Sequence, residues 1–289
     1  MLVLFTDTDT DMTPALAKEL GYKIISMPYS IDGESVYPYA DSDSFDFRSF
    51  YDMLRAGTIP TTSAIGEEAY TSAFEPVFAD GDDILYVSLS RAMTASLDAM
   101  DKAVEKLLAK YPGRKFYTVD TKGISALSLA IVEEVGDLYK AGKSAEEIVR
   151  YAEDEVNHYT MYFFADDLKF FKRSGRVSGL AGTMGTLLGI RPIIYVGDDG
   201  KMTSIGKEKG RAKAIDKLVS YVEELGDDIK SHRIIIGHTD APEIAEEIAS
   251  ALREKYGDGL NVEITVTNPT IGSHCGPDGV GIAFHCIHR

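Results

Sequence analysis

The sequence predicts an α/β protein in two parts. An N-terminal domain over residues 1–160 is built on a parallel sheet, and a C-terminal α/β domain over residues 161–289 carries a mixed or antiparallel sheet. Three observations carry this expectation. Strand-like and helix-like runs alternate through roughly the first 155 residues, the pattern of a parallel sheet covered by helices. Asp198-Asp199-Gly200 between two apolar runs is a hairpin signal, and it belongs to the second half. With 289 residues at 44% hydrophobic content the chain can bury a large core, and its length favours two domains over one.

Residues 2–6 read as the first strand. An Asp/Thr loop follows, then a helix opened by Thr13 with Pro14 at its first position, where a missing N–H costs nothing. Ile24–Tyr29, Asp83–Ser88 and Lys115–Val119 read as further strands. Ser125–Lys140 and Ser144–Tyr159 read as helices, the latter with Glu147 three residues after Ser144 as in a capping box. In the second half, Ile193–Val196 and Met202–Ile205 are the hairpin arms, and Arg233–His238 and Val262–Val266 are strands around an Ala- and Glu-rich helix at Glu243–Tyr256. No repeat or low-complexity segment stands out.

The stretch FFADDLKFFKRSGRVSGLAGTMGTLLGIRPII, residues 163–194, joins a basic helix to a glycine-laddered apolar one. Asp166 or Asp167 caps the first helix, Leu168 and Phe171 face inward, and Gly175 stops it after Lys169, Lys172 and Arg173. Gly179, Gly182, Gly185 and Gly189 then recur at three, three and four residues, which on a helix forms one bare face. Such a face is either a tight packing seam or the wall of a tunnel for an apolar ligand.

A net charge of -16 and a pI near 4.8 argue against nucleic acid as a partner, since its binding needs an electropositive face. An anionic partner would have to meet one of two local islands: Lys169, Lys172, Arg173 and Arg176, or Lys207, Lys209, Arg211 and Lys213. Five apolar residues precede the first Thr-Asp pair, too few for a signal peptide, and no run approaches the length of a membrane span, so a cytoplasmic protein is expected. Cys275 and Cys286 lack metal-ligand spacing and are expected as free thiols.

Three constellations could carry chemistry. Asp7, Asp9 and Asp11 alternate like the start of a calcium loop, but Met12 and Lys18 stand where such a loop needs Gly and Glu, so no metal is expected. Thr61-Thr62-Ser63 and Ser88, Ser90, Thr94 and Ser96 are hydroxyl-rich turns at or beside strand ends, where they could hold a carboxylate or phosphate or simply cap helices. Residues 271–279, IGSHCGPDG, read as a glycine-rich turn that presents the His274 imidazole. Cys275 beside it invites a thiol-nucleophile reading, but adjacent residues on a turn rarely point the same way. No Walker loop, GxSxG elbow or HExxH is present.

The segments TDTDTDMTPALAKELG, PTTSAIGEE, TVDTKGIS, DDLKFFKRSGRVSG, GKEKGRAKA and IGSHCGPDGVGIAF follow one another in the order and spacing of the DegV family of bacterial fatty-acid-binding proteins, which the chain resembles over essentially its whole length. The resemblance implies a two-domain DegV-like protein with its ligand site between the domains. Such a protein is not itself catalytic and needs no cofactor or metal. It buries a long-chain fatty acid in a tunnel and presents the carboxyl group to a separate fatty acid kinase. By the same resemblance Thr62, Ser63, Thr94, Ser273 and His274 bind the carboxylate, and Arg173 and Arg176 serve the kinase encounter, with transient contact to an anionic membrane surface as a second use of their charge. The chain departs from the family at Ala92-Met93-Thr94-Ala95, where only Thr94 matches, at Ile65, where proline is common, and at Cys275, where Thr or Ser usually follows the His. The alternative is an enzyme acting on a small phosphorylated or carboxylated metabolite, with His274 as general base or nucleophile.

Overall fold

The computed structural model describes residues 1–166, 168–180 and 189–289. From the N-terminus the elements are β1 (Leu2–Asp7), α1 (Pro14–Leu20), β2 (Tyr22–Ile25), β3 (Tyr29–Ile31), β4 (Glu34–Val36), α2 (Phe47–Arg55), β5 (Thr61–Thr62), α3 (Glu67–Ala79), β6 (Asp83–Ser88), α4 (Ser96–Lys110), β7 (Phe116–Asp120), α5 (Ala126–Lys140) and α6 (Ala145–Glu155). They continue with β8 (Tyr159–Phe164), α7 (Lys169–Ser174), β9 (Val177–Ser178), β10 (Ile190–Val196), β11 (Met202–Lys209), α8 (Arg211–Leu225), β12 (Ile234–His238), α9 (Pro242–Tyr256), β13 (Val262–Val266), α10 (Pro269–Cys275) and β14 (Val280–His285).

The first half carries a parallel sheet in the order β2-β1-β6-β7, and the second a mixed seven-stranded sheet in the order β13-β12-β14-β8-β10-β11-β9. A small antiparallel sheet, β4-β3-β5, lies outside both. The α/β expectation with a parallel first sheet and a mixed second one is therefore met. Parallel strands are covered on both faces, and the apolar runs of β1 and β6 follow from that: Leu4, Ile84, Leu85 and Val87 are fully enclosed.

α5 connects the two halves. It packs on β8, β12 and β14 of the second sheet and also touches α1, and its side chains are buried on nearly every side. A helix apolar all round belongs inside a core, where each enclosed Leu, Ile or Val is worth about 1.5–3 kcal/mol. One apolar cluster consequently runs from Leu4 of β1 through α5 to Ala283 of β14. A second cluster lies under α8 and α9, where Leu218, Ile244 and Ile248 meet Ile236 and Ile282.

Local capping signals hold. Thr13 accepts from the Leu16 N–H ahead of α1, and Ser144 with Glu147 forms a complete capping box on α6. The predicted hairpin is formed by β10 and β11, with a bulge at Ile193/Ile194.

Several expectations are corrected. The strand expected over Ile24–Tyr29 is split: β2 ends at Ile25 and β3 begins at Tyr29 in another sheet. Pro28, which has no N–H to give a ladder, lies in the break, and the Met27 N–H turns to Thr8 Oγ1. The helix expected to Tyr159 ends at Glu155, because Tyr159 begins β8 in register with His285. Asp166 does not cap α7. The helix starts after Leu168 without a side-chain cap, and Asp166 instead holds Arg191 by two bonds, at 2.6 and 2.9 Å. Asp167 is outside the described residues, as are Gly182 and Gly185 of the glycine ladder. Its ends are not helical: Gly179 and Gly189 have φ of +77° and +82°, and Gly179 lets the backbone of Ser204 approach where a Cβ would lie 2.9 Å from the carbonyl oxygen.

Candidate functional site

The segment expected as a turn around His274 is a helix, α10, and the local sequence explains it. Asn268 caps it by accepting the Thr270 N–H at 2.8 Å, and Pro269 occupies its first turn. Gly272 in its middle is required by packing, since a Cβ there would lie 2.5 Å from the Tyr51 hydroxyl of α2. Further bonds fix the helix from the first half of the chain. Asp11 accepts the Asn268 N–H at 2.8 Å, and Thr270 Oγ1 donates to the Met27 carbonyl at 2.7 Å. His274, in the last turn, is thereby held against β5, whose register with β3 pairs Thr62 with Tyr29.

Thr62 Oγ1 and His274 Nε2 are 2.8 Å apart across 212 positions of sequence. They line a cavity of about 260 Å³ whose wall includes Ser63, Thr94 and Arg176 as well. Most of the remaining wall is apolar: Met27, Leu89, Ile124, Met161, Phe163, Phe171 and Ile271 all face it. The cavity draws residues from both halves of the chain, and its chemistry is that of a mainly apolar space whose wall carries hydrogen-bonding groups.

Burial pushes the His274 imidazole down to about 4, and the Arg176 guanidinium pushes in the same direction, so the ring is neutral at physiological pH. A neutral ring offers one N–H donor and one acceptor nitrogen. The Cys275 thiol beside it is pushed up to about 12 by burial, with Asp11 adding to the effect, which leaves no thiolate for nucleophilic attack.

The expected site residues separate into groups. Thr62, Ser63, Thr94, His274 and Arg176 come together on the cavity wall. Thr94 Oγ1 also accepts the Ser96 N–H at 3.1 Å, fixing the start of α4. Ser273 lies off the wall and its hydroxyl donates back to the Pro269 carbonyl at 2.8 Å. Arg173 is exposed, and its guanidinium donates to the Ile59 carbonyl at 2.9 Å, close to β5. Ile65 explains itself: its N–H donates to Ser96 Oγ at 3.2 Å, a bond proline could not form. The wall also contains Asp9, Ser125, Thr239 and Thr267, which the sequence reading did not assign to a site. Their only sequence signal is the place of Asp9 in the alternation Asp7, Asp9 and Asp11 just after the first strand. Among the described residues no group of His, Cys, Asp and Glu is arranged to hold a metal, and no helix is long and apolar enough to cross a membrane.

The sequence matches the family model described as "Uncharacterised protein, DegV family" over residues 1–286. The chain belongs to the DegV family. A DegV domain-containing protein of Clostridium perfringens is 33% identical over 282 residues, covering 98% of this chain and 96% of the relative. The DegV fold also matches a DegV family protein from Eubacterium eligens loaded with heptadecanoic acid, with a TM-score of 0.85, 21% identity, and 99% and 100% of the two chains covered. A third DegV-like match is the fatty acid kinase B3 protein of Streptococcus pneumoniae loaded with linoleic acid, with a TM-score of 0.84, 18% identity and 99% of each chain covered.

Proposed function

We propose that this protein binds a long-chain fatty acid in its cavity and presents the carboxyl group to a separate fatty acid kinase, without catalysing the transfer itself. The observation that carries this reading is the mainly apolar cavity lined by the Thr62–His274 pair. Each methylene removed from water contributes about 0.8 kcal/mol, provided the carboxylate keeps hydrogen-bond partners. Thr62, Ser63, Thr94 and the neutral His274 supply those partners, and Arg176 adds a positive charge at the same end. The fatty acids bound by the Eubacterium eligens and Streptococcus pneumoniae proteins support the ligand class, and the description of the latter as a fatty acid kinase protein supports the partner. In this reading residues 1–160 and 161–289 are separate domains, the ligand lies between them, and Arg173 and Arg176 meet the kinase. The metabolite-enzyme alternative is weakened by a His274 too weakly basic and a Cys275 too weakly acidic for that chemistry at neutral pH.

The test is mass spectrometry of an organic extract of the native protein beside a Thr62→Ala/His274→Ala variant. A fatty acid in stoichiometric amount that is lost from the variant is the expected result. A native protein that carries none and takes up none when fatty acids are added would overturn the reading.

A further inference from the structure

Three acidic residues stand at the turn after β1, and the fold employs two of them. Asp7 accepts from the Tyr86 hydroxyl at 3.0 Å and from the N–H groups of Asp9 and Leu89. Asp11 accepts from the Ser125 hydroxyl and from the Asn268 N–H. Asp9 has no comparable duty. Its residue is only 8% exposed, its Oδ1 has no hydrogen-bond partner among the described residues, and it belongs to the cavity wall.

Four hydroxyls on that wall, those of Ser125, Thr267, Thr239 and Thr270, are already engaged. Ser125 bonds Asp11 and shares a 3.2 Å contact with Thr267, Thr239 accepts the Gly279 N–H at 2.7 Å, and Thr270 donates to Met27. Three apolar wall residues lie beside the segment that carries Asp9. The Met27 N–H goes to Thr8, the Leu89 N–H goes to Asp7, and Ile124 precedes Ser125, whose N–H donates to the Asp9 carbonyl at 2.9 Å. A plain hydrocarbon chain laid along this wall would leave the carboxyl unpaired, and an unpaired buried polar group is costly. A ligand with a polar group at that point removes the cost.

We propose that the preferred ligand of this cavity is an acyl chain that carries a hydroxyl group in addition to its carboxylate, the hydroxyl bonding the Asp9 carboxyl. The proposal rests on the fatty-acid reading of the Thr62–His274 end and adds the class of chain. Burial first, and the charges of Asp7 and Asp11 after it, favour the protonated form of Asp9. A protonated carboxyl has both an O–H to give and an oxygen to accept with, which matches the double capacity of an alcohol.

The test compares stearic acid with mid-chain monohydroxy acids of the same length, added to delipidated full-length protein and measured by calorimetry. At least one hydroxy acid is expected to bind about tenfold more tightly, the equivalent of one good hydrogen bond to a buried partner. Asp9→Leu is expected to reverse the order, binding stearic acid more tightly and the hydroxy acid less, and Asp9→Asn to keep part of the preference. If the wild type binds stearic acid as tightly as every hydroxy acid, the inference fails while the fatty-acid reading stands. If the preference survives in a folded Asp9→Leu protein, Asp9 is not its source. Binding of neither acid overturns both.

Discussion

The Tyr51 hydroxyl donates to the Thr267 carbonyl at 2.8 Å, tying α2 to the residue just ahead of the helix that carries His274. The same hydroxyl occupies the space a Cβ at Gly272 would need. Tyr51 has no exposed surface and so little room to retreat. Gly272→Ala should therefore cost about 1–3 kcal/mol through overpacking. Tyr51→Phe, which removes a buried bond, should cost about 0.5–1.5 kcal/mol. Because the alanine methyl and the tyrosine oxygen compete for one volume, the double variant should lose less than the sum. Urea denaturation of the four proteins checks this, and strict additivity would mean the helix shifts as a body instead.

Burial raises the Asp11 carboxyl from its ordinary value of 3.8 to about 7, and Asp7 moves in the same direction. Between those two values the folded chain keeps a proton that the unfolded chain has released. Unfolding then releases protons, so these groups make stability fall as pH rises from about 4 to about 7, with no further change from them above that. The urea midpoint should drop across this window in the wild type. Asp11→Asn, whose amide oxygen can still accept from the Asn268 N–H while its NH2 faces the Ser125 hydroxyl oxygen, should show a flatter profile. Parallel profiles for the two proteins would remove Asp11 as a source of the slope.

The features legible in sequence were those decided within a few residues. Thr13-Pro14 and Ser144 with Glu147 state their helix starts through bonds that span one turn. β8 escaped notice because all six of its side chains are buried and it shows no alternation, and because it follows α6 after only a short turn. The segment of α10 reads as a turn because Gly272 and Gly276 are poor helix formers, and the reason for Gly272 lies in Tyr51, more than 200 positions away. The Thr62–His274 contact was likewise beyond local pattern, since it depends on the pairing of β5 with β3 and on the bond from Asp11 to Asn268. Those two residues stand out in the sequence separately, as a hydroxyl-rich turn and a glycine-flanked His, and only the family resemblance joins them in one site, whereas Asp9 stands out as one of three alternating acids and gains a place on the cavity wall from the fold.

On the proposed fatty-acid and kinase reading, Arg173 and Arg176 should separate lipid retention from the kinase encounter. Both are exposed, but Arg176 lines the cavity and bears on His274, whereas Arg173 lies off the wall. A single rim charge alters encounter rate and salt dependence more than it alters the final complex, and an exposed charge is worth about 0.2–1 kcal/mol. Arg173→Ala should thus slow kinase-dependent phosphorylation of the bound fatty acid by a few-fold at low salt, about the factor that energy corresponds to. The difference should shrink as salt is added. Arg176→Ala should also reduce the lipid recovered in an organic extract, because it removes the only Arg or Lys among the cavity-lining residues described. Phosphorylation that is unchanged when both charges are neutralised would place the kinase on another face, with the exposed Lys207, Lys209, Arg211 and Lys213 island the next to be tested.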